Sequence, residues 1–139
     1  MQWQEVCEHL SLQNLPFKIE LNEKGQILMS PVKVYHSAFQ GKISQLLPKH
    51  GIVLAECAVK TAKGTKVADI AWCSEERFAR IEREVECSIA PEVCIEVLSF
   101  SNTSSEMEEK RALYVSAGAV EFWVCNETGN MVFLMKTGS

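Results

Sequence analysis

Hydrophobic and polar positions follow two rhythms along this chain, and the switches between them mark its elements. Trp3, Val6, Cys7 and Leu10 recur at helical spacing, which predicts a short first helix ended by the segment around Pro16. Phe17 to Leu21 and Gln26 to Met29 read as two strands, and Asn22-Glu23-Lys24-Gly25 between them reads as a hairpin turn in which glycine can supply positive φ. Ala38, Ile43, Leu46 and Leu47 stand among polar residues over 34–47, the spacing of a second helix stopped by Pro48 and Gly51.

Ile52 to Val59 and Val67 to Cys73 are apolar and rich in β-branched residues, and Lys63-Gly64 between them predicts a second hairpin. Ser74 is a candidate N-cap for a polar helix with Glu75 and Glu76 in its first turn and Phe78 and Ile81 on its apolar side. Val93 to Leu98 is apolar at odd and even positions alike except for one acid, the pattern of a strand covered on both faces. Ser104 or Ser105 is placed to cap a helix containing Met107, Ala112, Leu113 and Tyr114, closed by Gly118. Val120 to Cys125 and Met131 to Met135 then read as two strands around Glu127-Thr128-Gly129-Asn130. The order is helix, hairpin, helix, hairpin, helix, strand, helix, hairpin. It predicts an α/β or α+β fold in which helices pack on a mixed sheet.

Composition narrows this picture. At 139 residues the chain is expected to form one domain over 1–139, and 47% hydrophobic with 23% charged residues is the make-up of an ordinary globular core and surface. Fourteen Lys plus Arg against eighteen Asp plus Glu leave a formal charge of −4, which argues against a basic coat for gripping nucleic acid. A DNA partner would need a local basic patch or metal ions. Met1-Gln2-Trp3-Gln4-Glu5 holds neither a basic leader nor a long apolar run, so a cytoplasmic location with no membrane association is expected. Six cysteines without any Cys-x-x-Cys spacing are then expected to be free thiols rather than disulfides or a zinc site.

The candidate chemistry lies in acids that the strand pattern leaves out of place. Glu56 in Val53-Leu54-Ala55-Glu56-Cys57-Ala58-Val59, Asp69 in Val67-Ala68-Asp69-Ile70-Ala71-Trp72 and Glu96 in Val93-Cys94-Ile95-Glu96-Val97-Leu98 each have apolar neighbours on both sides. An ionised carboxylate removed from water must pair, take a proton or face a cleft. A solvated edge or a lysine partner would satisfy any one of them, and a divalent cation held by oxygen ligands would satisfy all three. If the hairpin turns at Lys63-Gly64, Asp69 falls opposite Ala58 and shares a sheet face with Glu56, an inference that a one-residue slip would undo. Lys110 stands one turn after Glu106, the spacing of a surface ion pair. Lys60, Lys63 and Lys66 gather around a turn, as solvated loop residues or as contacts for a DNA backbone. His36 fits a half-buried imidazole, and Trp72, Phe122 and Trp123 fit the core.

Taken together, the run Glu96-Val97-Leu98-Ser99-Phe100-Ser101, then Lys110, Tyr114, Gly118 and Glu121-Phe122-Trp123, resembles the Uma-two family of restriction-endonuclease-like proteins in the PD-(D/E)XK nuclease superfamily. Phe17 to Pro31 resembles the family's opening hairpin, Tyr35-His36 its helix start, and Val67 to Trp72 the strand that carries its Pro-Asp pair. The resemblance implies a restriction-endonuclease-like core: a central mixed sheet flanked by helices, with the site where acids of adjacent strands meet. It implies Asp69 and Glu96 as metal-binding acids for Mg²⁺ or Mn²⁺ and Lys110 as the catalytic lysine, with DNA as substrate. Ala68 replaces the proline of the Pro-Asp pair, and Leu98 replaces the usual lysine two residues after the glutamate. Residues 96 and 98 point to one side of their strand, so a lysine on the following helix, with Tyr114 one turn beyond it, could reach the same spot.

The expected activity is therefore metal-dependent hydrolysis of DNA phosphodiester bonds, with Glu56 near a second ion or a water. The alternative is a nuclease fold kept as a non-catalytic interaction or nucleic-acid-binding module, and a hydrolase of some other phosphoester is a third reading. Cutting both strands of a duplex would be easier for a homodimer.

Overall fold

The computed structural model describes residues 1–100 and 102–135. Its elements are α1 (Trp3–Glu8), a 3-10 turn (Leu10–Leu12), β1 (Phe17–Leu21), β2 (Ile27–Pro31), α2 (Val34–Leu46), β3 (Ile52–Thr61), β4 (Gly64–Cys73), α3 (Glu75–Ile81), β5 (Val93–Val97), α4 (Ser104–Ser116), β6 (Glu121–Cys125) and β7 (Met131–Met135). Apart from the 3-10 turn, which takes Leu10 out of the first helix, these are the predicted elements in the predicted order. β3 to β7 form one five-stranded sheet in chain order, antiparallel except where β5 runs parallel to β6, and β1 and β2 form a separate hairpin. The single parallel step requires a crossover, and α4 supplies it.

Caps and turns follow local chemistry. Asn22 Oδ1 accepts from the amides of Lys24 and Gln26, and Gly25 takes φ +72° to close the first hairpin. Ser74 Oγ accepts from Arg77 N as the N-cap of α3. α4 starts one residue earlier than the two serines suggested, because Thr103 Oγ1 takes the Glu106 amide.

Each face of the sheet carries its own apolar cluster. On one side Met107 and Tyr114 of α4 pack with Cys57, Val59, Cys94 and Phe122, and on the other Ile43 of α2 and Leu47 just after it pack with Ile70, Ile95 and Val97. The alternation along β5 therefore sends Glu96 to the α4 side with Cys94. Phe122 is fully buried as expected, whereas Trp72 and Trp123 are half-buried at the margin of the second cluster. Their indole N–H groups explain the placement: Trp72 Nε1 donates to the carbonyl of His50 and Trp123 Nε1 to Glu121.

Two details of the sheet create a cleft. The β4–β5 ladder pairs Trp72 with Val93, Ala71 with Cys94 and Ile70 with Ile95, so Asp69 and Glu96 lie immediately beyond its last pair, where the strands part. The β3–β4 hairpin turns on Ala62 and Lys63, with Thr61 opposite Gly64. This is one residue earlier than the Lys63-Gly64 turn and shifts the register by two: Ala58 pairs with Val67, and Asp69 falls level with Glu56 at the step the ladder skips. Both acids nonetheless line one pocket.

Candidate active site

Asp69 and Glu96 converge on one ammonium group. Lys18 Nζ, from β1, lies 3.1 Å from Asp69 Oδ1 and 3.1 Å from Glu96 Oε2, and it also donates to the carbonyl of Val67 at 2.9 Å. The other oxygen of each acid is held from the opposite side. Asp69 Oδ2 accepts from Val97 N at 2.8 Å and lies 3.3 Å from His36 Nε2, while Glu96 Oε1 accepts from Tyr114 Oη at 2.9 Å and Lys110 Nζ at 3.2 Å. The Val97 amide is thus satisfied by a side chain where the strand ladder ends.

A third acid completes the cluster. Glu20 is buried on β1, accepts from Val67 N at 2.7 Å and holds Lys110 Nζ at 3.0 Å. Lys110 therefore bridges Glu20 and Glu96. It makes no ion pair with Glu106, whose carboxylate accepts from Asn102. Lys66 Nζ donates to the carbonyl of Leu21, and Lys63 pairs with Glu109 at the surface.

Glu56 lines the same pocket of about 430 Å³ but stays exposed, with no hydrogen bond or ion pair among the described residues. Its backbone is at φ +50°, and the β3–β4 pairing skips from Ala55 to Cys57 across it. A non-glycine residue held in that region costs of order 1–3 kcal/mol and is the kind of strain found at functional sites.

The cluster's electrostatics follow from a charge count. Asp69, Glu20 and Glu96 against Lys18 and Lys110 leave one negative charge in excess inside a desolvated space. Burial acts against all three acids. At Asp69 it is overcome by the His36 hydrogen bond, the Lys18 charge and the Val97 amide, which hold the carboxyl well below the usual range. At Glu20 it is overcome by Lys110 and Lys18. At Glu96, which is completely enclosed, burial outweighs both lysines and pushes the carboxyl up to about 7. The hydrogen bond to Asp69 raises His36, and burial drives Tyr114 far above an ordinary phenol, keeping it a donor.

The donor set fits a small hard cation. Two carboxylate oxygens already aim at a single cationic atom, and Mg²⁺ or Mn²⁺ commonly binds one or two carboxylates and completes its shell with water and substrate. Among the described residues no three His, Cys, Asp or Glu side chains form a metal-ligating group.

Of the residues singled out in the sequence, Glu96 bonds directly to Lys110 and Tyr114, Asp69 joins them through Lys18, His36 is attached through Asp69, and Glu56 stands at the rim. Lys18 and Glu20 were missed, because Phe17-Lys18-Ile19-Glu20-Leu21 has the alternation of a strand with one solvated face.

A mixed sheet whose acids meet where two central strands part defines a restriction-endonuclease-like fold. The fold matches the crystal structure of a protein titled "putative nuclease belonging to DUF820" from Anabaena variabilis, with TM-score 0.68 and 18% identity over 100% of this chain and 87% of that one. The chain belongs to the Uma2 family, described as "putative restriction endonuclease", whose profile matches residues 3–138. Comparison with curated proteins gives no match.

Proposed function

We propose that the protein is a metal-dependent nuclease that hydrolyses DNA phosphodiester bonds, with Asp69 and Glu96 holding Mg²⁺ or Mn²⁺. The observation that carries this reading is the convergence of the two acids, from adjacent strands, on one cation position. Bound there, the metal would supply Lewis acidity to a phosphate oxygen and a lowered pKa to a water. The rest is the work of the chain. Val97 N–H and His36 fix the Asp69 carboxylate, and the Tyr114 hydroxyl fixes Glu96. Lys110 brings positive charge to the edge of the acid pair, where it can stabilise the charge that develops on a phosphate in the transition state. Lys18, displaced from between the acids, and Lys66 line the same pocket and offset the overall −4 that repels DNA.

Incubating the purified protein with plasmid DNA and Mg²⁺ or Mn²⁺ tests the reading. Cleavage is expected, with Asp69→Asn and Glu96→Gln reducing it by 10²-fold or more, a loss of roughly 3 kcal/mol in transition-state stabilisation. Cleavage that survives both substitutions overturns the assignment. Lys110→Gln is expected to lose cleavage while retaining Mn²⁺ binding.

One observation favours a second reading, in which the fold is a non-catalytic binding module: Lys18 and Lys110 already pair with all three acids. Calorimetric titration with Mn²⁺ separates the two, because the module requires no binding that depends on Asp69 and Glu96.

A further inference from the structure

Away from the acid cluster, two cysteines stand in contact. Cys57 Sγ on β3 and Cys87 Sγ on the segment between α3 and β5 are 3.4 Å apart and buried, although 30 residues separate them in sequence. Both backbones are pinned. Cys57 pairs with Ala68 in the β3–β4 ladder, and Cys87 forms a bridge beside Val59 in which its N–H donates to the carbonyl of Ala58 and its carbonyl accepts from Lys60. A second, smaller pocket of about 150 Å³ is lined by both cysteines together with Leu54, Phe78, Ile81 and Val85.

We infer that Cys57 and Cys87 are a redox-modification site that closes to an intramolecular disulfide when a small peroxide enters this pocket. A disulfide needs sulfurs about 2.0 Å apart. The existing contact leaves about 1.4 Å to close, within reach of side-chain rotation on two anchored backbones. Both thiols belong to the same core cluster, so neither must leave its surroundings to meet the other.

The chemistry balances with hydrogen peroxide. One thiolate attacks a peroxide oxygen, the O–O bond breaks, and the sulfur becomes a sulfenic acid as water departs. The second thiol then attacks that sulfur, the S–O bond breaks, and a second water leaves with the S–S bond formed. Two thiols and one peroxide give one disulfide and two waters. The link ties the segment leading into β5 to β3, one residue from Glu56 at the mouth of the acid pocket. It rests on no part of the nuclease reading.

The test uses the whole chain carrying Cys7→Ser, which removes the exposed thiol. It is treated with hydrogen peroxide, quenched, alkylated and digested without reductant. The expected product is a peptide linking Cys57 to Cys87, released by dithiothreitol. The linked protein is expected to melt roughly 5–15 °C higher, as closing a loop of this size predicts. Cys57→Ala and Cys87→Ala, made singly, should each remove both the linked peptide and the shift. A different linked pair, sulfinic acid at either cysteine without a link, two thiols left unoxidised, or a melting shift that survives the substitutions would each overturn the inference.

Discussion

Glu96 has the most demanding environment in the molecule: it accepts from two lysines and a tyrosine yet is enclosed enough to titrate at about 7. The fold therefore binds a proton there more tightly than the unfolded chain, where glutamate titrates near 4.5. The stabilisation this gives is complete below the unfolded value and is lost as pH rises through about 7. Asp69 and Glu20 run the other way, since their carboxyls are lowered in the fold. Their contribution is present above the ordinary carboxylate range and is lost as acid protonates them. Thermal melts of the metal-free protein across pH should thus peak on the acid side of neutrality. Glu96→Gln is expected to flatten the alkaline limb, making the variant more stable than the parent above pH 7 by ~1–3 kcal/mol, with the difference gone near pH 4.5. Tyr114→Phe removes the hydroxyl that orients this carboxylate. It is expected to cost ~1–3 kcal/mol in denaturant titrations, the loss of a buried hydrogen bond to an acid.

At the scale of elements, the β1–β2 hairpin brings Lys18 and Glu20 to β4, and its end abuts the turn of the next hairpin. Gly64 sits at φ +89°, and a Cβ there would overlap the carbonyls of Leu21 and Asn22. Gly64→Ala is therefore expected to destabilise the protein by roughly 2 kcal/mol or more and to push β1 away, so urea titration should show a lower midpoint. The elements themselves were legible in the sequence, because strand and helix periods differ and the turns carry Gly, Pro and Asn. Asp69 and Glu96 were legible too, since charge within apolar strands demands an explanation. Lys18 and Glu20 were not. Alternating Lys-Ile-Glu reads as a half-solvated strand, and nothing local reveals that β4 and α4 arrive to cover its polar side. Lys110 had a local partner at Glu106, and only its resemblance to a family motif pointed elsewhere. Glu56 stood out as an acid, but its left-handed backbone is a product of the tertiary pairing around it.

For the whole molecule, the proposed metal binding would be linked to stability. A cation that binds the folded acid pair and not the unfolded chain raises the melting temperature with its concentration. Mg²⁺ or Mn²⁺ is expected to do so in the parent and not in Asp69→Asn, by differential scanning fluorimetry. If each chain carries the one proposed acid pair, a monomer should nick plasmid into open circles before linear product accumulates. Linear product formed directly, at a rate rising with protein concentration, would mark a homodimer acting on both strands.

The contacts that hold the acids in place span long stretches of chain: 51 residues between Lys18 and Asp69, 78 between Lys18 and Glu96, and 90 between Glu20 and Lys110. Closing such loops is entropically late work, since local hairpins and helices form before distant segments meet. A ribosome-tethered chain that has not yet released α4 thus holds three carboxylates without their full complement of ammonium partners. On the proposed nuclease reading, competence at this centre would wait for the last long-range closure, leaving a half-made copy chemically silent toward the nucleic acid around it.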